Sequence, residues 1–356
     1  MPDAQASRSH ADALIRLVTG RKRVLIFTHD NPDPDSMAAA LCLSYLIESV
    51  GGVHSRIVYG GIVGRAENRS MVQLLEIPLW SLESLRLRPD DAVIMVDTQP
   101  GFANNSLPEG RAVLAVLDHH RGGPLPDVPL CDMRTGYGAV TTIATEYLLA
   151  AGVEIPPRLA TAICYGISSE TQDLGREAAP EDIAAFLAVY PRCDQPLLGR
   201  LRHPRRPASF FVELADAIRA VRAGDGVAVC HLGGVATPDV AAEMADMLIS
   251  IENLEWVMVT APYGDRLILS VRTNRGDAHA GELLRGVVGE RHRAGGHGMI
   301  AGGSVRLPRG SDPAPTQHDL EERFLSALGH PGPSALKPLE KQPGVRAPDG
   351  KAPRKS

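Results

Sequence analysis

The amino-acid sequence predicts an α/β fold, with a mostly parallel sheet and flanking helices in a first domain and a smaller C-terminal α/β domain after it. Three observations support this prediction. Short apolar runs alternate with helical patterns along the first half of the chain. Acidic side chains follow three of the apolar runs directly. The length of 356 residues is typical of two domains.

In the first domain, buried strands are recognised as short, partly β-branched apolar runs that end in polar residues. The predicted strands span 24–28, 53–59, 92–96 and 112–117. The predicted helices span 36–49, 68–75, 141–151 and 159–167. We expect Asp35 or Ser36 to cap the first helix and Asn68 to cap the second, because these residue types favour helix N-termini.

The rest of the chain divides by composition. We assign 1–185 to the first domain, 186–209 to a linker, 210–329 to the second domain and 330–356 to a disordered tail. The linker contains several prolines and a basic stretch, Arg200 to Arg206, which is either a solvated connection or a basic wall facing an anionic ligand. The second domain has predicted helices at 210–223, 239–251 and 278–288, and strands at 226–232, 256–261, 267–272 and 304–307.

Composition narrows the functional classes. The net charge is −5, with 44% hydrophobic and 22% charged residues, which excludes a strongly basic protein that coats nucleic acid. No run approaches the roughly 18 apolar residues of a membrane span. Without a signal-peptide pattern we expect a cytoplasmic protein that makes no membrane contact. Residues 1–199 carry a net charge of −8 and residues 200–309 one of +2, which points to a cation site in the first half.

A constellation of acidic and imidazole side chains follows the predicted strands and the last helix of the first domain. Residues 29–36 read His-Asp-Asn-Pro-Asp-Pro-Asp-Ser directly after the first strand. The candidate side chains are His29, Asp33, Asp35, Asp97, Asp118, His119, His120 and Asp173. Each piece alone could be a turn or a helix cap, but four pieces in this order favour one site.

The chemistry of this set favours a divalent metal centre. Ligands in open α/β sheets bind at the carboxyl ends of the strands, where these residues are expected to meet. Imidazoles together with carboxylates suit Mn²⁺, Mg²⁺ or Zn²⁺, and the absence of cysteine from the set argues against a structural zinc site. Several carboxylates this close would repel one another unless a cation neutralised them.

These four motifs resemble those of the DHH phosphoesterases. That group includes RecJ-like nucleases, oligoribonucleases that also act as pAp phosphatases, cyclic-dinucleotide phosphodiesterases and family II pyrophosphatases. The resemblance implies two divalent ions, with Mn²⁺ as the first choice and Mg²⁺ as the alternative. By position, His29 and Asp33 would hold one ion, and Asp35, His119 and Asp173 the other.

The same resemblance implies roles for the three remaining residues. Asp97 would bridge the two ions, His120 would face the phosphate, and Asp118 would support the site from behind. A centre with four ligand carboxylates and two divalent ions is formally neutral. An anionic substrate would therefore need additional positive or hydrogen-bond-donating groups.

A glycine run in the second domain resembles the DHH-associated C-terminal domain. Gly295, Gly296 and His297 correspond to its Gly-Gly-His loop, and Arg272 lies in a strand like its Ser-x-Arg-Ser segment, with Thr273 in place of the second Ser. The resemblance implies that these residues hold the far part of the substrate. Glycine suits this role because a backbone without side chains can approach a phosphate closely.

The leading functional hypothesis is a metal-dependent phosphoesterase acting on short nucleotides. Candidate substrates are oligoribonucleotides of a few residues, pAp-type bisphosphates and dinucleotides, cleaved by a 3′-5′ exonuclease or phosphatase reaction. The Gly-Gly-His domain argues against a family II pyrophosphatase. A polyphosphate or phosphoanhydride hydrolase and a non-catalytic nucleotide-binding module remain as alternatives. The oligomeric state is open, with a homodimer as one option.

Overall fold

A computed structural model describes residues 4–102, 104–120, 125–175, 177–289 and 294–339 of the chain. The chain divides into two compact units, Met1–Arg205 and Arg206–Ser356. Each unit contains one sheet, the first all parallel and the second mixed. The predicted fold class is therefore confirmed.

The first unit alternates strands and helices before it ends in helices. In chain order its elements are α1 (Ala4–Val18), β1 (Val24–Phe27), α2 (Pro34–Gly51), β2 (Ser55–Tyr59), α3 (Ala66–Leu75), β3 (Leu79–Ser81), β4 (Ala92–Val96), β5 (Val113–Asp118), β6 (Leu130–Met133), α4 (Val140–Ala151), α5 (Pro157–Glu170), α6 (Pro180–Val189) and α7 (Gln195–Arg202). The strands lie in the order β3-β2-β1-β4-β5-β6. The carboxyl ends of β1, β4 and β5 are thus neighbours at one edge of the sheet.

Both faces of this sheet are covered. All four residues of β1 are buried, which explains why its sequence is a continuous apolar run. Val24 and Ile26 face the main core with the helices, whereas Leu25 and Phe27 face a smaller core. Side chains from connecting segments, such as Leu85, complete the smaller core.

Two predicted helix starts differ from the structure. Asp33, rather than Asp35 or Ser36, caps α2: its side chain accepts a hydrogen bond from the Ser36 backbone N–H at 2.9 Å. Asn68 does not cap α3, because its side-chain amide donates to the Pro32 carbonyl oxygen at 3.0 Å. Both side chains are therefore tied to the loop that follows β1.

The predicted linker, 186–209, is wrong as a description of this segment. Helix α6, a 3₁₀ turn and α7 occupy most of it, and residues up to Arg205 belong to the first unit. Pro180, Pro191 and Pro196 stand in the first turns of helical segments, where a missing N–H costs nothing. Leu198 and Leu201 are buried in the main core, which fixes α7 to the unit.

The second unit places two helices on each face of its sheet. Its elements are α8 (Ala208–Ala220), β7 (Arg222–Gly224), β8 (Val227–His231), α9 (Asp239–Leu248), β9 (Trp256–Tyr263), β10 (Arg266–Thr273), α10 (Ala280–Val288), β11 (Ala294–His297), β12 (Ile300–Arg306), α11 (Ala314–Ala327) and β13 (Lys337–Pro338). The strand order is β11-β12-β10-β9-β8-β7-β13. Helices α8 and α9 cover one face, and α10 and α11 cover the other.

The predicted disordered tail, 330–356, begins too early. Strand β13 pairs antiparallel with β7, and Leu336 is buried against the core of the second unit. A leucine next to a strand edge can anchor such a segment although its composition is rich in proline and glycine. Residues 340–356 lie outside the described part of the chain. Within the described part, no helix is both long and apolar enough to cross a bilayer.

Candidate metal centre

Three of the predicted motifs meet at the carboxyl edge of the first sheet. The loop after β1 carries His29 and Asp33, Asp97 follows β4 directly, and His119 comes immediately after β5. These strands are neighbours, so residues far apart in sequence converge. The structure brings the first three motifs together in this way.

Asp97 lies at the centre of this cluster. One of its carboxylate oxygens is 3.5 Å from His29 Nε2, and the other is 3.5 Å from His119 Nε2 and 3.3 Å from His120 Nδ1. Its backbone is left-handed, with a φ of 61°, which is uncommon for a residue other than glycine. Backbone strain of this kind is concentrated at functional sites, where the surrounding structure maintains it.

The hydrogen bonds of the two imidazoles prepare them to bind a metal. The Nδ1 atom of His29 lies 2.8 Å from the Asp30 carbonyl oxygen, and that of His119 lies 3.1 Å from the Tyr137 carbonyl oxygen. A ring nitrogen that donates to a carbonyl leaves the other nitrogen as a lone-pair donor. In both rings this second atom, Nε2, faces Asp97.

The two remaining carboxylates of the first motif are held by helix N-termini. Asp33 caps α2 through Oδ1, while Oδ2 lies 3.5 Å from His29 Nε2. Asp35 is 1% exposed and accepts hydrogen bonds from the Val140 and Thr141 N–H groups at the start of α4. Its Oδ2 lies 3.8 Å from His119 Nε2.

Electrostatics in the cluster are strongly perturbed. Burial and the charge of Asp97 raise the pKa of Asp35 well above its usual range. Burial opposes ionisation of Asp97 as well, but the neighbouring His119 and His29 imidazoles hold the pKa of Asp97 well below its usual range. Burial also lowers the pKa of His119, yet Asp97 outweighs it and raises that pKa overall. Positive charge at the centre of the cluster therefore favours the ionised form of Asp97.

The donor set fits divalent ions. Two groups of potential ligands each have their atoms within 4.8 Å of one another: His29 with Asp33 and Asp97, and Asp97 with His119 and His120. Adjacent ligands about 2.1 Å from one ion are roughly 3 Å apart, close to the spacings around Asp97. Oδ1 of Asp97 is buried and has no hydrogen-bond partner among the described residues, as expected of an atom that binds a cation.

The structure does not bring Asp173 to this cluster. Its side chain is 70% exposed, and Oδ1 lies 2.9 Å from the Arg202 guanidinium. Helix α5 continues to Glu170 instead of ending at residue 167, and the chain then turns Asp173 outward. Glu170, the last residue of α5, is the acidic residue whose charge reaches the cluster, because it helps raise the pKa values of both Asp35 and His119. An acidic residue in the last turn of α5 was the available signal, in Ser-Ser-Glu-Thr.

Asp118 holds His119 and His120 in place through hydrogen bonds. It is fully buried, and its Oδ1 accepts hydrogen bonds from the His119 N–H at 2.7 Å and from His120 Nδ1 at 2.8 Å. Its Oδ2 accepts a hydrogen bond from the Gln99 side-chain amide at 2.8 Å. The sequence prediction did not include Gln99, whose only signal is its position two residues after Asp97.

The glycine run of the second unit forms a hairpin rather than a loop. Strand β11 pairs antiparallel with β12, so that Arg272, Ile300 and His297 occupy one register across three strands. Gly296 has a φ of 151°, and a Cβ there would lie 2.2 Å from the Ile300 carbonyl oxygen. A Cβ on Gly295 would meet no atom within 4 Å. The side chain of His297 lies outside the described residues.

Arg272 is engaged within its own unit. Its guanidinium forms an ion pair with Asp246 and donates hydrogen bonds to Ser270 Oγ and to the Val271 carbonyl oxygen, both at 2.9 Å. The side chain is 7% exposed. A substrate could therefore reach Arg272 only after Asp246 moved or shared it.

The first unit has a cluster of candidate metal ligands at the edge of a parallel sheet, and the second unit has a mixed sheet. Sequence comparison identifies the family to which these two units correspond. The profile of the "DHH family, N-terminal domain" matches residues 23–167, and that of the "DHHA1 domain" matches residues 224–324. The chain therefore contains a DHH-family N-terminal domain and a DHHA1 domain, which confirms the resemblance found in the sequence.

Individual relatives agree with this assignment. An uncharacterized protein of Methanocaldococcus jannaschii is 31% identical over 86% of this chain and 65% of its own length. An A-adding tRNA nucleotidyltransferase of Geobacter sulfurreducens is 26% identical over 79% of the chain and 32% of its own length. A probable manganese-dependent inorganic pyrophosphatase of Streptococcus pyogenes is 26% identical over 42% of the chain and 48% of its own length. The chain thus spans less than two thirds of each of these relatives.

A solved structure shows the same fold. An exopolyphosphatase-related protein from Bacteroides fragilis superposes with a TM-score of 0.63, covering 90% of this chain and 98% of that protein. The sequence identity is 13%, so this likeness concerns the fold.

Proposed function

We propose that this protein is a phosphoesterase that depends on divalent metal ions and hydrolyses short nucleotides. The substrates in this proposal are oligoribonucleotides of a few residues, pAp-type bisphosphates or dinucleotides. The observation that carries the proposal is the position of Asp97, within 3.5 Å of His29, His119 and His120 at the carboxyl edge of a parallel sheet. Carboxylates and imidazoles in this arrangement suit hydrolysis of phosphate esters.

Two divalent ions, Mn²⁺ first and Mg²⁺ as the alternative, fit the available ligands. In this proposal His29 and Asp33 would hold one ion, Asp35, His119 and Glu170 would hold the other, and Asp97 would serve both. When bound, such ions polarise phosphoryl oxygens and supply an activated water near neutral pH. The similarity to a probable manganese-dependent pyrophosphatase supports the choice of Mn²⁺.

His120 is the residue of this centre that contacts the phosphate in our proposal. Burial lowers its pKa, but the hydrogen bond to Asp118 and the charge of Asp97 outweigh burial and raise it overall. A raised pKa favours the protonated ring. Because Nδ1 is bound to Asp118, Nε2 is the atom that donates to a phosphoryl oxygen. Asp118 and Gln99 orient this ring.

The DHHA1 unit supports a nucleotide rather than an inorganic substrate. Its hairpin exposes the backbone at Gly295, where a Cβ would meet no atom within 4 Å, so a phosphate group has room to approach the backbone. Arg272 and His297 belong to this recognition surface in our proposal. The likeness of 151 residues to a pyrophosphatase favours one second candidate, a phosphoanhydride or polyphosphate hydrolase with the same metal centre.

A substrate panel with Mn²⁺ tests the proposal. Purified protein is incubated with di- to pentaribonucleotides, pAp, cyclic dinucleotides, pyrophosphate and polyphosphate, with Asp97→Asn as the control. We expect Mn²⁺-dependent hydrolysis of one or more nucleotide substrates that exceeds hydrolysis of both phosphoanhydrides. Hydrolysis of the phosphoanhydrides alone would favour the second candidate. Nucleotide binding without any hydrolysis would instead indicate a regulatory module.

A further inference from the structure

A strained turn follows helix α5 beside the metal centre. Gln172, Asp173 and Leu174 have φ values of 47°, 55° and 65°, although none of them is glycine. Two hydrogen bonds hold the turn, from the Asp173 N–H to the Ser168 carbonyl oxygen at 2.7 Å and from the Leu174 N–H to Thr171 Oγ1 at 3.1 Å. Three consecutive left-handed residues are unfavourable by themselves, so the fold maintains them at a cost.

The turn directs the Asp173 carboxylate toward Arg202. Arg202 is the last residue of α7, and its guanidinium lies 2.9 Å from Asp173 Oδ1. Helix α7 is rigidly placed, because Leu201 is fully buried and the Asp194 N–H donates to Thr161 Oγ1 on α5 at 2.9 Å. The Arg202 side chain nevertheless keeps 34% of its surface exposed. A fixed and accessible guanidinium therefore stands at this place.

This ion pair lies close to the proposed metal ligands. Asp173 follows Glu170 by three residues, which limits the distance between their Cα atoms to roughly 11 Å. Both residues belong to the first unit. The ligand carboxylates and two divalent ions sum to zero charge, so an anionic substrate needs positive groups near them. Arg202 supplies such a group from the same unit.

We propose that Arg202 binds a second phosphate of the substrate, beyond the phosphate that reacts, and that Asp173 occupies Arg202 until substrate displaces it. This proposal rests on the proposed nucleotide hydrolysis. Exposed ion pairs contribute little stability, so the displacement of Asp173 costs little. The planar guanidinium can bind phosphate oxygens in a bidentate manner, and a phosphate carries more negative charge than the carboxylate that it would displace.

A purely structural ion pair is the competing explanation. In that case, removal of either partner would loosen α7 in the same way, so both variants would change in the same direction. Recognition predicts opposite directions, because loss of Arg202 removes the phosphate ligand, whereas loss of Asp173 removes its competitor. The signs of the two effects therefore separate the explanations.

The experiment compares Arg202→Gln, Asp173→Asn and a matched control, Arg200→Gln, in the full chain. Arg200 lies two residues earlier in α7, and residues at this spacing do not share a face. Steady-state kinetics with Mn²⁺ are measured on the diribonucleotide pApA, which has a 5′-phosphate, and on ApA, which lacks it. Melting temperatures are recorded for each variant.

For Arg202→Gln we expect KM for pApA to rise about tenfold, kcat to change less than about threefold, and ApA kinetics to stay unchanged. Asp173→Asn should keep kcat and leave KM for pApA unchanged or lower. Arg200→Gln should match the wild type on both substrates. These three results together would support the proposal.

Equal losses on pApA and ApA in both variants, with equal drops in melting temperature, would overturn the proposal in favour of a structural pair. Loss of all activity in Asp173→Asn would overturn it by making Asp173 a metal ligand. If the wild type hydrolyses neither substrate, the proposed function fails by itself. Equilibrium dialysis of pApA then tests Arg202 alone, since weaker binding by Arg202→Gln supports its role and equal binding overturns it.

Discussion

The carboxyl edge of the first sheet and the glycine hairpin of the second represent two different ways of building a site. At the first edge, charged side chains crowd around Asp97 and are held by buried hydrogen bonds from strand ends and helix N-termini. At the hairpin, a ligand would meet the backbone rather than side chains, because Gly295 and Gly296 have none. Only the first arrangement shifts several pKa values strongly.

This difference separates chemistry from recognition. Strong electrostatic perturbation marks groups that bind cations or move protons, whereas a bare backbone suits close contact with an anion. Changes at the first edge should therefore affect catalysis and metal binding and largely leave folding unchanged. Changes at the hairpin should affect the stability of the second unit and the choice of substrate. Four sets of substitutions test this contrast between the metal centre and the hairpin.

Asp97→Asn should lower kcat about 10³-fold or more, while the unit stays folded without metal with at most a modest fall in melting temperature. Asp97 faces three imidazoles, and these hold its pKa well below the usual range, so the amide loses both the metal ligand and a favourable interaction in the folded unit. Mn²⁺-dependent kinetics and thermal unfolding measure the two effects. Full activity in this variant would remove Asp97 from the centre.

Gly296→Ala should destabilise the second unit by about 3 kcal/mol, because a Cβ would lie 2.2 Å from the Ile300 carbonyl oxygen and the φ of 151° disfavours alanine. Gly295→Ala is the matched control, since a Cβ there meets no atom within 4 Å, and should change stability by less than about 0.5 kcal/mol. Urea unfolding measures both. Equal destabilisation would contradict the hairpin geometry.

Glu170→Gln should weaken Mn²⁺ binding and lower activity by about 10²-fold, because an amide is a poorer ligand than a carboxylate. Asp173→Asn should retain activity within a few-fold, since its side chain is exposed and paired with Arg202. Isothermal titration with Mn²⁺ compares the two variants. The reverse ranking would return Asp173 to the metal centre.

Gln99→Leu should reduce kcat about tenfold with little change in Mn²⁺ affinity. Its amide donates to Asp118, which in turn orients His120, so the effect passes through one intermediate residue. Gln99→Glu should perturb Asp118 more strongly than Gln99→Leu, because it places a second carboxylate beside Asp118. An unchanged kcat in Gln99→Leu would show that Asp118 keeps its place without this hydrogen bond.

Much of the fold could be predicted because its strongest signals are local. The β1, β4 and β5 runs are short, apolar and followed by polar residues, and the structure has strands within a residue or two of each prediction. Strands β3 and β6 were missed, since they are short edge strands with little periodicity. Prolines in the first turns of α6 and α7 were mistaken for a linker, because the sequence alone does not show whether a proline begins a helix or follows the end of one.

The site was predicted unevenly for a similar reason. Residues that directly follow a strand, such as Asp97 and His119, are positioned by that strand. Asp173 follows a helix whose end depends on packing and on the Thr171 hydrogen bond, so spacing alone could not distinguish it from Glu170. Gln99 belongs to no motif, and Arg202 stood out only as part of the basic stretch from Arg200 to Arg206, so the role proposed for each follows from what it contacts.

Apolar periodicity and acidic strand ends are local properties of the chain, so the family, the parallel sheet and a candidate divalent-metal centre could be predicted from them. Three features instead depend on tertiary contacts: the acidic residue of α5 whose charge reaches the cluster, the support of Asp35 by α4, and the engagement of Arg272 by Asp246. Those contacts join residues more than twenty positions apart, or depend on where a helix ends. Burial and hydrogen bonding settle such contacts when the whole unit folds, and no short stretch of sequence encodes them.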